Sequence, residues 1–347
     1  VMWMGTGGRG QHLKGGVARY DGKGLVIFTT ADGLVSNQVF SIYQTSNGAF
    51  WFGTDKGVSV YHPTEFHRIS EADGLVNNDV TVIHRDPDGV FWFGTKGGIS
   101  KYDGKHFANF TIRDGLLNNH IVDIERVEVA LTESNRQSEL WFSSRRGGIS
   151  RYTEQRFIPF TPKQGLLHDQ LGGGLASATD GRIWIGVWSG VSVYDGKSAV
   201  LADGDFSEML IHFRPSDGLI NMIVFSLMPD ENGGMWIGTG GGLSHYDGYK
   251  FTNYSTANGL THNVVKSIFR QDNGTLIIGT AGGVSKFDGD NFTNLGNGIN
   301  GSPLVNVNKT YRSPDGILWL AINKGVVLYD DGVWSSLDVR DGLAGDE

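Results

Sequence analysis

The sequence predicts an all-β chain folded as a β-propeller of eight four-stranded antiparallel blades, and three observations carry that expectation. A tryptophan-centred segment returns eight times at intervals of 41 to 52 residues. Each interval holds four short apolar runs of strand length and no helical periodicity of useful length. Glycine accounts for 52 of 347 residues and aromatics for 11%, about twice the roughly 7% glycine of an average protein. Many tight turns between short aromatic strands are what a radial meander needs, and the length exceeds what one ordinary core can cover.

The anchors, in order, are "WMGT" at Trp3, "WFGT" at Trp51 and Trp92, "WFSS" at Trp141, "WIGV" at Trp184 and "WIGT" at Trp236, then the weaker "IIGT" at Ile277 and "WLAI" at Trp319. Each is followed by a glycine-led apolar run that ends in an aromatic residue, such as "GGISKYDG" or "GVSVYDG". A second marker, "DGL" followed by Asn or Ser, lies between anchors, as in "DGLVNN" from Asp73 and "DGLLNN" from Asp114. Four strands per unit follow. Strand a comes after "DGL", is rich in β-branched residues and is expected to be buried on both faces; b carries the tryptophan; c is the "GISKYD" run; d centres on Phe28, Phe66, Phe107, Phe157, Phe251, Phe292 and Trp334. A tryptophan burying roughly 200 Å² contributes up to about 5 kcal/mol, so the anchors read as fold determinants. Counting strands gives eight sets of b, c and d and seven of a, so the first blade is expected to lack strand a. Eight blades in a single propeller over 1–347 is the preferred reading, seven plus part of a neighbouring propeller the alternative.

The bulk numbers narrow the function. A net charge of -8 with scattered Lys and Arg disfavours nucleic acid as a partner. The absence of cysteine removes disulfides, thiolate nucleophiles and thiolate zinc sites. No apolar run reaches the roughly 18 residues of a membrane span, and "VMWMGT" has neither part of a signal peptide, so this segment is expected to be soluble, without membrane contact, and a fragment of something longer.

Units of the form "DGL-x-x-N, apolar strand, DG-x-x-W-[FI]-G-T, GG-[IVL]-S-x-Y-D-G, F" resemble the two-component regulator propeller repeat over essentially the whole chain. The resemblance implies the sensor propeller of a bacterial hybrid or one-component signalling receptor, periplasmic or extracellular. In that family propellers precede a β-sandwich, a membrane helix and an output domain, and many members sense glycans. It therefore implies as partners an oligosaccharide or other small ligand, a neighbouring propeller or output domain of the same receptor, and a second copy of the chain. It implies no catalytic residue, cofactor or metal.

In an antiparallel meander the d-to-a linkers and the b-to-c turns leave the same end of every sheet, here the top, around the mouth of the channel where propellers hold ligands. Residues that obey the repeat serve folding; departures at the top need another cause. The largest departures are Arg145 and Arg146 in the fourth b-to-c turn and Trp188 in the fifth. The linker between them, "QGLLHDQ", adds His168 and Asp169, and the preceding one adds His120. Guanidinium groups, an indole and an imidazole suit an acidic sugar, with Arg taking a carboxylate or sulfate and the aromatic a ring face. The structural alternatives are arginines paired with a neighbouring Asp or solvated, Trp188 packed over a turn, and histidines serving the turns. Asn37, Asn78, Asn119 and Asn263 recur with the repeat and are assigned to backbone hydrogen bonding in the linkers.

Other apparent motifs fail. "GTGGRG" has a dinucleotide-type glycine spacing but no helix after it, "DPDGVFW" departs from the sialidase Asp-box, and "DGDNF" has too few spaced oxygens for calcium. Three insertions exceed the repeat. Arg9–Gly16 enlarges a top turn, with Arg9, His12 and Lys14 as a lip over the channel. Arg126–Glu139 enlarges an a-to-b turn, and Ser198–Pro215 a c-to-d turn whose Met209, Leu210 and Ile211 suit contact with a partner. The expected function is non-enzymatic ligand sensing at the top face. The alternatives are a polysaccharide lyase or glycoside-processing propeller, with His168 or His120 as base and Arg145 or Arg146 neutralising a uronate, and a protein-interaction scaffold.

Overall fold

The computed structural model describes residues 1–6, 15–62, 65–132, 135–195, 209–295, 306–313, 315–323, 325–330, 332–338 and 343, with the backbone alone over 129–132 and 135–137. The fold is an all-β propeller of eight blades: among the described residues, 31 strands form eight antiparallel sheets, each in simple chain order. The first sheet has three strands and each of the others four, as the strand count requires.

The chain divides into two compact units. The first comprises Val1–Arg126, Glu139–Pro159 and Leu337–Glu347. Its sheets are β1 Met2–Thr6, β2 Gly16–Tyr20 and β3 Leu25–Phe28; then β4 Val39–Gln44, β5 Phe50–Thr54, β6 Gly57–His62 and β7 Glu65–Ile69. They continue with β8 Val80–Arg85, β9 Phe91–Thr95, β10 Ile99–Tyr102 and β11 Phe107–Phe110, then β12 Ile121–Thr132, β13 Asn135–Ser144, β14 Ile149–Thr153 and β15 Arg156–Phe160. The second unit comprises Val127–Ser138 and Phe160–Ser336. It holds β16 Leu171–Ser177, β17 Ile183–Val187, β18 Gly190–Tyr194 and β19 Leu210–Phe213, then β20 Val224–Pro229, β21 Met235–Thr239, β22 Leu243–Tyr246 and β23 Phe251–Tyr254. The last two sheets are β24 Val265–Arg270, β25 Leu276–Thr280, β26 Gly283–Phe287 and β27 Phe292–Asn294, and β28 Lys309–Arg312, β29 Leu318–Ile322, β30 Gly325–Asp330 and β31 Val333–Leu337.

The tryptophan anchors sit between sheets, as their size demands. Trp92 on β9 is buried against Phe142 and Tyr152 of the next sheet, with ring centroids 5.5 and 5.1 Å away. In the second unit Trp184 on β17 is buried against Tyr246 of the next sheet at 5.6 Å. Successive cores form in this way, one of them around Trp92, Leu116, Ile121 and Phe142 and another around Trp184, Leu219, Val224 and Ile237.

The linkers staple each sheet to its neighbour. In the third linker Thr111 caps a single 3-10 turn, Asp114 accepts the Thr111 N–H at 2.8 Å, and Gly115 takes the left-handed conformation (φ 103) that ends it. Leu116 is then buried, and the Leu117 N–H donates to Ser150 Oγ on β14 at 3.1 Å. The same bond recurs from Val35 to Ser59, Val76 to Ser100, Leu167 to Ser192, Ile220 to Ser244 and Thr261 to Ser285. The serine of the "GIS" run is therefore a buried acceptor for the neighbouring linker. At the far end of the chain Leu343 is buried, with its N–H on the Asp338 carbonyl at 2.9 Å, which is the bond Leu34 makes to Thr29 at 3.1 Å.

Three sequence expectations are corrected. The a strands are not buried on both faces. A bulge at the second residue, as between Val39 and Ser41 or Val224 and Ser226, turns Phe40 and Phe225 out of the ladder, and they are 46% and 39% exposed. The Arg126–Glu139 insertion is not a loop, because β12 and β13 simply run longer. Leu210 and Ile211, read as part of a docking loop, belong to strand d of the fifth sheet: Leu210 pairs with Tyr194 and Phe213 with Val191, and Phe213 packs on the Trp184 core.

Candidate functional site

At the top of each sheet two backbone bonds set the geometry. The residue three places before an a strand lends a side-chain acceptor to the N–H two residues on. It is Asn77 for Asp79, Asn118 for His120 and Asn221 for Ile223, at 2.8 to 3.0 Å. The first residue of the b-to-c turn then donates its N–H to the carbonyl of the residue just before strand a of the same sheet. These pairs are Lys96 with Asp79, Arg145 with His120, Trp188 with Gln170, Gly240 with Ile223 and Ala281 with Val264. The turn residue and the linker residue are thus side by side in these five sheets.

In the first unit this tie unites two of the expected residues, His120 and Arg145, at 3.1 Å between backbone N and O. Arg145 and Arg146 are both exposed, and neither guanidinium has an ion-pair partner among the described residues. Burial first, then Arg145 and Lys96, hold the His120 imidazole below its ordinary 6.5, with Asp79 pulling the other way. Lys96 is paired with Asp79 at 2.6 Å and lies 5.9 Å from the centroid of the exposed Phe40 ring. Lys96, Asp79 and Phe40 escaped the sequence reading because Lys and Asp occur at these positions as ordinary members of the repeat.

In the second unit the structure gives His168 and Asp169 local causes. His168 Nδ1 accepts the Gln170 N–H at 2.9 Å, the bond that Asn makes elsewhere, and His262 Nδ1 does the same for Val264 at 3.0 Å. Asp169 Oδ1 lies 3.2 Å from the same nitrogen. One nitrogen cannot both accept from Gln170 and donate to Asp169, and the recurrence of the backbone bond at His262 marks it as the contact that the turn uses. Asn37, Asn78, Asn119 and Asn263 accept the N–H of Thr30, Glu71, Ile112 and Thr256, seven residues earlier, at 2.8 to 2.9 Å. Asp169 and Met222 occupy that position in the two linkers whose partner is proline, Pro162 and Pro215. Proline has no N–H to cap, so the asparagine is released.

Trp188 is 46% exposed, beyond what the repeat explains. Its indole lies against the backbone of β16, where a Cβ on Gly172 would stand 3.0 Å from the ring Cδ1. Of the expected residues, His120, Arg145 and Arg146 lie in the first unit and His168, Asp169 and Trp188 in the second. The expected lip, Arg9, His12 and Lys14, falls outside the described residues.

The family model described as "Two component regulator propeller" matches residues 33–56, 74–97 and 218–241, each running from a linker glycine into the b-to-c turn. No curated protein matches the chain. Among solved structures it is similar to the extracellular domain of a hybrid two component system from B. thetaiotaomicron, at 21% identity and TM-score 0.44, covering 96% of this chain and 50% of that one. It is similar to PorZ, a bacterial surface component of the type-IX secretion system of Porphyromonas gingivalis, at 17% identity and TM-score 0.52, covering 96% and 57%. It is also similar to virginiamycin B lyase from Staphylococcus aureus, at 12% identity and TM-score 0.51, covering 82% and 91%. The chain spans 50% to 58% of the two-component-system structures it matches. At these identities the likeness to the last two shows the fold alone. The chain is a β-propeller in which three segments match the two-component regulator propeller repeat.

Proposed function

We propose that the chain is a non-enzymatic sensing propeller, the extracytoplasmic part of a bacterial signalling receptor, which binds an acidic oligosaccharide at the sheet ends bearing the "DGL" linkers and b-to-c turns. The observation that carries the reading is the pair Arg145 and Arg146. They are two exposed guanidinium groups without carboxylate partners among the described residues, and Arg145, whose backbone N–H is tied to the His120 carbonyl, holds a turn position where the other sheets carry Asp, Lys, Gly, Ala, Asn or Trp. Unpaired guanidinium groups match the fork of a carboxylate or sulfate. The regulator repeat supports the signalling part of the reading, with output through a neighbouring propeller, an output domain or a second copy of the chain. Signalling requires only that the ligand prefer one arrangement of these parts over another.

A glycan array run alongside an absorbance assay for unsaturated uronate products tests it. Retention of acidic glycans without product formation is expected, and retention should weaken in the double variant Arg145→Ala/Arg146→Ala. Turnover of a uronate polymer would favour the lyase reading, and failure to retain any glycan would favour a scaffold.

A further inference from the structure

The b-to-c turns were the sequence's guide to the top face, but the a-strand bulges place a second set of side chains there. A bulge leaves one residue outside the ladder and re-aims it. In the second unit the residues skipped are Gly172 and Gly173 on β16, Phe225 on β20 and Lys266 on β24. They lie at the same level of three successive sheets. A Cβ on Gly172 would stand 2.6 Å from the Val224 carbonyl oxygen, and one on Gly238, beside Ser226, 3.0 Å from the Val265 carbonyl oxygen.

At β16 the glycines remove the side chain and the Trp188 indole occupies the space, with one edge on the backbone and 46% of the residue open. Phe225 is 39% exposed, its ring edge beside Gly240 of its own sheet, where an added Cβ would stand 3.8 Å from Cε2. Lys266 Nζ donates to Asn306 Oδ1 at 3.1 Å and to Asn308 Oδ1 at 2.9 Å, and Asn308 Nδ2 donates on to Asn323 Oδ1 at 2.8 Å. Both Lys266 partners are neutral amides, it has no carboxylate partner among the described residues, and a third ammonium proton is unused. Two part-exposed aromatic side chains followed by an unneutralised ammonium and amides match a ring with an apolar face, polar edges and one anionic substituent.

We propose that Trp188, Phe225 and Lys266 form a saccharide subsite in which the aromatics stack on pyranose faces and Lys266, held by Asn306 and Asn308, selects a carboxylate or sulfate. It deepens the acidic-oligosaccharide reading above and rests on it. Calorimetric titration of the whole chain with an oligoglucuronide and with a neutral gluco-oligosaccharide of equal length tests it. Trp188→Ala and Phe225→Ala should each weaken both ligands by about tenfold or more. Lys266→Gln, which can still donate to the amides, should weaken the oligoglucuronide by about tenfold and the neutral ligand by less than about twofold. If wild-type chain binds the oligoglucuronide and all three variants bind it equally well, the subsite is wrong while the sensing reading stands. If wild-type chain binds neither saccharide, both fail. Unchanged circular dichroism and melting temperature separate loss of binding from loss of fold.

Discussion

Pro162 and Asp169 stand seven residues apart in the fourth linker, at the two positions that elsewhere share a hydrogen bond, and neither makes it. In the third linker the Ile112 N–H donates to Asn119 Oδ1 at 2.9 Å. Proline removes the donor, so the acceptor is free to change. Asn119→Ala should therefore cost about 1 kcal/mol, the usual worth of a capping acceptor, whereas Asp169→Ala should change stability by less than about 0.5 kcal/mol. Chemical denaturation of the two variants checks this, and equal losses would contradict it.

The serine of the c strand is expected to matter more than its size suggests. Ser100 Oγ accepts the Val76 N–H at 2.8 Å and donates to Asn109 Oδ1 at 2.7 Å, and Asn109 Nδ2 reaches the Gly74 carbonyl at 2.9 Å. Ser100→Ala strands a donor and an acceptor between two sheets and should destabilise by about 1–3 kcal/mol. Hydrogen exchange at the Val76 amide should accelerate in the same variant. An unchanged exchange rate would sink the bridging role.

The fourth sheet carries a buried ion pair that no other described sheet repeats. Arg151, 1% exposed, donates to both Glu139 oxygens at 2.9 Å, and Glu139 also accepts the Trp141 indole N–H at 2.9 Å. Glu139→Ala should cost about 3–5 kcal/mol, because it leaves a buried guanidinium and an indole donor without their carboxylate. Replacing both partners with apolar residues, Glu139→Leu with Arg151→Met, should cost clearly less than the single change. Thermal melts of the three proteins decide, and a double variant no more stable than Glu139→Ala would contradict the desolvation argument.

His120 reports on its surroundings. Its imidazole is held below 6.5 by burial, Arg145 and Lys96. The folded chain therefore binds this proton less readily than the unfolded chain, and the group lowers stability as pH falls below 6.5 toward the folded midpoint. Arg145→Ala removes one of the repulsions, so the His120 titration observed by NMR should move upward. A midpoint that stays in place would separate the two side chains despite their backbone tie.

The fold was legible because the repeat supplies many copies of each signal. Trp92 and Trp184 recur at blade spacing, and their burial follows from size alone. The asparagines at 37, 78, 119 and 263 were rightly assigned to linker backbone because recurrence is itself a folding signature. Strand β19 was missed because an inserted stretch displaces it from its expected spacing, and Leu210 stands opposite the c-strand Tyr194 where Phe107 and Phe251 stand opposite Tyr102 and Tyr246. The top-face departures were harder. His168 looked foreign to the repeat, yet an imidazole nitrogen replaces an amide oxygen in the same turn. Asp169 could have been explained from sequence by pairing each departure with Pro162 or Pro215 seven residues before it. Phe225 and Lys266 could not, since exposure at the second strand residue depends on a bulge that leaves no compositional trace.

The central claim, that the top of these sheets binds an acidic saccharide and leaves it intact, is tested most directly by equilibrium dialysis of an oligoglucuronide against the whole chain, with mass analysis of the recovered ligand. The account predicts saturable retention of uncleaved ligand, weakened in Arg145→Ala/Arg146→Ala. Ligand recovered shortened or unsaturated, or no retention by wild-type chain, would contradict it.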